Sequence, residues 1–270
     1  MRHQCPLYVR GKRAARLARE LAARKGATAD GARMSGVIRF VGDVHGQFGQ
    51  YEKIIAGAPR SVQVGDMGIG FRPAGGPPDG AFSVTPPHGA MARGDHRYIR
   101  GNNDNPAVCR EDPHWIPDGR FENGIMFVGG ALSIDRPLRT EGYSWWPDEE
   151  LSPAELRRML ALYIERKPAI MVTHDCPEEV AGIVITRILA MGVSRKDFPS
   201  RTRYALQEMW AAHAPSLWIF GHYHLGFDQI LRGGRENGTR FVCLAELEYR
   251  DVKARCARSA RRRPSPRPTT

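Results

Sequence analysis

Short apolar runs, each ending at a glycine or at a polar residue with metal-binding chemistry, set the rhythm of this chain. VIRFV (37–41), SVQV (61–64), RYI (97–99), AIMV (169–172) and LWIF (217–220) read as buried strands. With their flanks, and with one further strand, they predict strands near 37–41, 61–64, 97–100, 125–129, 169–173 and 217–220. Two more, near 227–231 and 240–245, flank a turn holding Gly233, Gly234 and Gly238 and read as a hairpin. Helical spacing falls between these runs. A helix is expected near 48–57, and a better-marked one at 153–166, where Ser152 can cap, Pro153 takes the first helical position and Glu155 completes a capping box. Leu156, Met159, Leu160, Tyr163 and Ile164 form its apolar stripe. Val180, Ile183, Val184, Ile188 and Met191 do the same for 178–191, and Leu206, Met209 and Trp210 for a helix near 202–213. Strands alternating with helices predict an α/β fold.

The residues that end the runs share one chemistry. GDVHG (42–46), GD (65–66), GNND (101–104), TH (173–174) and GHYH (221–224) put carboxylates, amides and imidazoles at five strand ends. Gly42, Gly46, Gly65, Gly101 and Gly221 allow the sharp turns and close backbone approach that such a site needs. Hydrolysis of a phosphate ester is slow because the anion repels nucleophiles. Two divalent cations about 3.5–4 Å apart neutralise its oxygens, orient phosphorus and lower the pKa of a shared water. They require a bridging carboxylate, hard oxygen ligands and neutral imidazoles. Asp43, His45, Asp66, Asn102, His174, His222 and His224 supply that inventory.

Composition changes this picture little. The 270 residues are 41% hydrophobic, enough for one large domain or two small ones. No apolar run approaches the roughly 18 residues of a membrane span, so no membrane partner is expected. Five cysteines without CxxC spacing read as reduced thiols and a cytoplasmic location. The net charge of +11 is a matter of the ends: residues 1–35 carry +7 and residues 250–270 another +7, leaving 36–249 near −3. The expected organisation is a basic, poorly ordered extension (1–35), a catalytic domain (36–249) and a basic disordered tail (250–270). The extension reads as a solvated segment ahead of a start at Met34, as a targeting-like peptide, or as a basic arm. Nucleic acid is therefore a conceivable partner through the ends, not an expected one. Residues 72–94, with five prolines and five glycines, read as a loop, either beside the substrate or without a direct role.

The ordered motif set resembles the calcineurin-like metallophosphoesterases, whose pattern is D-x-H, G-D, G-N-H-(D/E), an isolated His and G-H-x-H. The likeness covers roughly 37–247. It implies a four-layer αββα sandwich with the active site at the strand carboxyl ends. It implies that Asp43, His45 and His224 bind one metal, that Asn102, His174 and His222 bind the other, and that Asp66 bridges them. Manganese is the first expectation, with iron, zinc or nickel as alternatives.

The third motif departs from the pattern. Where the family usually carries a histidine regarded as the leaving-group acid, this chain has Asn103. An amide can hydrogen-bond an oxygen but cannot deliver a proton, and loss of a general acid costs about 10²–10⁴-fold for a poor leaving group. Activated or diester substrates, another acid, or a water at the metals remain open. Asp104 is expected to orient Asn103 or cap a turn. Arg136 and Arg139 are candidates for clamping a substrate phosphate. Trp145 and Trp146 read as packing, or as a roof over the site. His88, His96, His114 and His213 match no ligand position, and Cys176 reads as structural.

The expected activity is metal-dependent hydrolysis of a phosphomonoester or phosphodiester by a hydroxide bridging two metals. GDVHG and the Trp-Trp segment are similar to the bacterial and phage protein-phosphatase-like members. That makes serine/threonine phosphoprotein phosphatase or dinucleoside polyphosphate hydrolase the alternative. A non-catalytic binding scaffold on the same fold is the rival of another class.

Overall fold

Central strands buried on both faces organise the protein, and their alternation shows which residues face which neighbour. A computed structural model describes residues 36–71, 85–192, 198–234 and 236–253; these lie in one compact unit, Ser35–Thr270. The fold is α/β with two mixed sheets.

The first sheet has the order β10-β1-β2-β3. β1 (Val37–Val41), β2 (Arg60–Gln63) and β3 (Asp95–Tyr98) are parallel, and β10 (Tyr249–Lys253) runs antiparallel along β1. The second has the order β4-β5-β6-β7-β9-β8. Its parallel centre is β5 (Ile125–Val128), β6 (Ile170–Thr173), β7 (Leu217–Phe220) and β9 (Thr239–Cys243), with β4 (Phe121–Glu122) and β8 (Phe227–Leu231) antiparallel at the edges. Ile38, Phe40, Val62, Val64 and Ile99 from the first sheet meet Ile125, Phe127, Val172, Ile219 and Val242 from the second in one buried cluster.

The intervening residues point the other way. Met126, Val128, Met171, Trp218, Phe220, Phe241 and Cys243 pack with side chains of α4 (Pro153–Arg166), α5 (Glu178–Ala190) and α6 (Arg201–Ala212). Val41 and Tyr98 pack with α1 (Phe48–Ala56), α2 (His88–Met91) and α3 (Pro106–Glu111). The capping box of α4 forms as expected: Ser152 accepts from the Glu155 amide at 3.3 Å, and Glu155 accepts from the Ser152 amide at 2.9 Å.

Several sequence expectations shift. β3 begins two residues earlier than the apolar run suggests, because Asp95 and His96 pair with Arg60 and Ser61. Ile164 and Met191, assigned to apolar stripes, are exposed at the ends of α4 and α5. Residues 250–253 belong to β10 and not to a tail: the Arg39 guanidinium on β1 holds Asp251 at 2.8 Å through two bonds. Within 72–94, residues 88–91 are helical. The expected extension 1–35 and the tail beyond 253 lie outside the described residues, as does 72–84. Among the described residues, no helix is long and apolar enough to cross a membrane.

Candidate metal centre

Every parallel strand but β5 ends at a predicted ligand or, for β9, at a carboxylate that joins them. β1 runs into Asp43 and His45, β2 into Asp66, β3 into Asn102, β6 into His174, β7 into His222 and His224, and β9 into Glu246. The seven predicted side chains come together in two groups that share Asp66. In the first, Asp43, His45, Asp66 and His224 each bring a ligand atom to within 4.8 Å of the others, a group that could hold a metal ion. The His45 and His224 Nε2 atoms are 3.1 Å apart, and His224 Nε2 is 3.2 Å from Asp43 Oδ2. In the second, His174 Nε2 lies 3.3 Å from Asp66 Oδ1 and 3.1 Å from Asn102 Oδ1, which is 2.9 Å from His222 Nδ1.

Hydrogen bonds behind the candidate ligands decide which atoms face inward. The carbonyl of Val64, 3.0 Å from His174 Nδ1, can only accept, so Nδ1 keeps its proton and Nε2 is the nitrogen turned to the centre, the one that would exchange its proton for a cation. The Asn102 amide is oriented in the same way. Its Nδ2 donates to Ser133 Oγ at 3.1 Å, and Ser133 donates onward to the buried Glu149, which leaves Oδ1 toward the histidines. Neither Ser133 nor Glu149 was predicted from sequence.

The backbone is bent to the purpose. Of the seven non-glycine residues at positive φ among the described residues, four are candidate ligands: His45, Asp66, His222 and His224. Such conformations cost about 1–3 kcal/mol each and gather where a site over-determines them. At Gly101 any side chain would collide with the Asp66 carboxylate, and at Gly65 (φ +103°) with the His174 ring.

Asp43 and Asp66 are fully buried, and their ion-pair partners among the described residues are imidazoles. Burial works against the charge on Asp66, yet His174, His45 and the Asn103 amide hold its carboxyl far below the usual range. Burial likewise opposes a charge on His174, but Asp66 outweighs it and pushes the pKa up to about 10. In the protein alone, protons on imidazoles compensate the carboxylates. A cation would take over that role.

The remaining predicted residues divide. Asn103 is at the centre, but both ends of its amide are engaged: Nδ2 donates to Asp66 Oδ2 at 2.6 Å and Oδ1 accepts from Arg139 at 2.6 Å. It therefore orients Asp66 instead of reaching toward a substrate oxygen. Arg139 also pairs with Asp135 at 2.6 Å and stacks on Phe71. Arg136 does not join it: its guanidinium lies 5.8 Å over the Trp145 ring, and it forms no hydrogen bond or ion pair with the cluster among the described residues. Asp104 serves the backbone, accepting from the amides of Met67, Gly68, Ile69 and Gly101 at 2.7–3.2 Å. It clamps the Asp66 loop to the Asn102 loop through these backbone bonds. Trp146 is buried near Phe71.

The other described histidines are occupied elsewhere, His88 by Asp112, His96 by Ser61, His114 by the His96 carbonyl and His213 by the Pro168 carbonyl. Cys176 is buried and free, as are Cys109 and Cys243. Gln63, unmarked in the sequence, ties the first two motifs together through the carbonyls of Gly42 and Gly65. No protein-family model matches the chain, and no curated protein is detectably similar to it.

Proposed function

We propose that this protein is a dinuclear, metal-dependent phosphoesterase of the calcineurin-like kind, and that its two facing sheets with flanking helices are the four-layer αββα sandwich of that family. The observation that carries the reading is the placement of Asp66. One carboxylate oxygen faces His45 at 3.9 Å and the other faces His174 at 3.3 Å, so a single side chain stands between two donor groups. That is the requirement for a carboxylate shared by two cations. The mixed oxygen and imidazole donors suit manganese, with iron, zinc or nickel as alternatives.

Bound there, two divalent cations would supply charge neutralisation for a phosphate and a water acidified enough to attack it. The chain's own residues do the rest. Val64, Ser133 and Glu149 fix the donor atoms of His174 and Asn102. Asn103 and Arg139 hold the Asp66 carboxylate in its shared orientation. Arg139 brings a fixed positive charge to the rim, where an anionic substrate would arrive.

The test compares p-nitrophenyl phosphate with bis-p-nitrophenyl phosphate under Mn²⁺ and the other candidate metals, with Asp66→Asn as control. Turnover of either ester that depends on Asp66 supports the reading. No turnover of either under any metal sinks it and favours a binding scaffold.

A further inference from the structure

Glu246 belongs to none of the five motifs, yet its carboxylate stands at the edge of the first group. Its Oε1 is 3.1 Å from His224 Nδ1 and 3.8 Å from His45 Nε2. The turn that presents it is built into the site. The Leu247 amide donates to the Asp43 carbonyl at 2.9 Å, and the Gly42 amide donates to the Glu248 carbonyl at 2.8 Å. Glu248 in turn accepts from the Ala245 amide at 3.0 Å. Leu247 adopts positive φ (56°), the same conformation as the four ligands. The bracket thus hangs directly on the first motif.

The consequence falls on His224. Unlike His174, which a backbone carbonyl orients from behind, His224 is half-exposed, with 47% of its side chain open to solvent. Its Nε2 faces Asp43 and His45, while Nδ1 faces Glu246. A carboxylate accepting the Nδ1–H proton fixes the ring so that Nε2 offers its lone pair to the centre, and it raises the basicity of that nitrogen.

We propose that Glu246 is a positioning residue for the cation group formed by Asp43, His45, Asp66 and His224, selecting the nitrogen that His224 turns inward. The proposal rests on the metallophosphoesterase reading for its metal, though not for its geometry. Its side chain is 42% exposed, so Glu246→Ala and Glu246→Gln should leave the thermal midpoint of the cation-free protein nearly unchanged.

The experiment titrates the full chain with Mn²⁺ by calorimetry and by the electron paramagnetic resonance of free Mn²⁺. Glu246→Ala should weaken the binding step that involves His45 and His224 about 10–100-fold, with Glu246→Gln intermediate because its amide oxygen can accept the same bond. In parallel, imidazole ¹⁵N spectra of the cation-free protein, at alkaline pH, should show the Nδ1–H form at His224 in the natural chain and its loss in Glu246→Ala. Affinity within about two-fold of the natural chain, with the tautomer unchanged, overturns the proposal. A natural chain that binds no divalent cation but loses the Nδ1–H form on Glu246→Ala overturns the metal reading and leaves the positioning role standing.

Discussion

Opposite ends of the same sheets solve one problem, a carboxylate taken out of water, in two different ways. Near the amino ends, Glu122 on β4 accepts from Arg60 on β2 at 2.8 Å and from Arg97 on β3, with Arg120 at 3.4 Å. At the carboxyl ends, Asp43 and Asp66 have imidazoles instead. A guanidinium keeps its charge at any physiological pH and sits in a fixed fork. An imidazole can give up its proton and become a metal ligand, and a cation arriving at the carboxylates displaces that proton. The arginine cage is therefore permanent and joins the two sheets. The imidazole cage is compensated provisionally, which is what a cation site needs. A buried carboxylate by itself does not mark function. The pKa of its partners does.

The comparison breaks first if Asp66 and Glu122 respond alike. Asp66→Asn should lower ester turnover by about 10³-fold or more, roughly 4 kcal/mol of transition-state stabilisation. Glu122→Gln should leave turnover within about two-fold, while chemical denaturation shows a loss of about 1.5–3 kcal/mol from bonds to charged groups. Equal turnover losses in both variants would erase the distinction.

Next in size is stabilisation by the cation. At about 100 times its dissociation constant, a ligand bound only by the folded state adds about 2.7 kcal/mol. Mn²⁺ should raise the midpoint of the natural chain and of Glu122→Gln, and a chelator should reverse it. Asp66→Asn should show no such rise in differential scanning fluorimetry.

A smaller effect separates the two halves of the centre itself. Ser133→Ala frees the Asn102 amide to turn its nitrogen toward the histidines. The binding step that involves His174 and His222 should weaken about ten-fold, while the step through His45 and His224 holds. Calorimetry on the variant reads both, and loss in the wrong step would refute the relay.

What the sequence revealed and concealed follows the same division. Strand ends with a glycine and a metal-binding side chain are local events, so all seven candidate ligands could be picked out directly, and β-prone runs such as AIMV and LWIF placed β6 and β7 within a residue. β10 escaped because Tyr-Arg-Asp-Val-Lys alternates charge and looks like solvated tail; it is a strand only through its pairing with β1. Ser133, Glu149 and Glu246 escaped for a related reason. Their role is fixed by which loop lies against which, and nothing local in their own segments records it. Asn103 stands out in the sequence as the one departure from the resembled pattern. Its double engagement by Asp66 and Arg139 required the fold.

The smallest effect concerns acid. Burial disfavours the charge on Glu122, but Arg97 and Arg60 together outweigh it and lower its pKa below the ordinary 4.5. The folded protein therefore binds this proton less readily than the unfolded chain does. Its contribution to stability is complete above the ordinary glutamate value and disappears as pH falls through the lowered one. Glu122→Gln removes the titrating group, so the stability difference between variant and natural chain should be largest near neutrality and shrink as the solution is acidified. The imidazole cage predicts no matching loss for the cation-loaded protein until protons displace the cation, since ligating imidazoles must be neutral. Urea denaturation across the acid range, with and without Mn²⁺, separates the two. A difference between natural chain and Glu122→Gln that stays constant down to the acid limit would mean that Glu122 acts through packing, and the arginine cage would lose its electrostatic meaning.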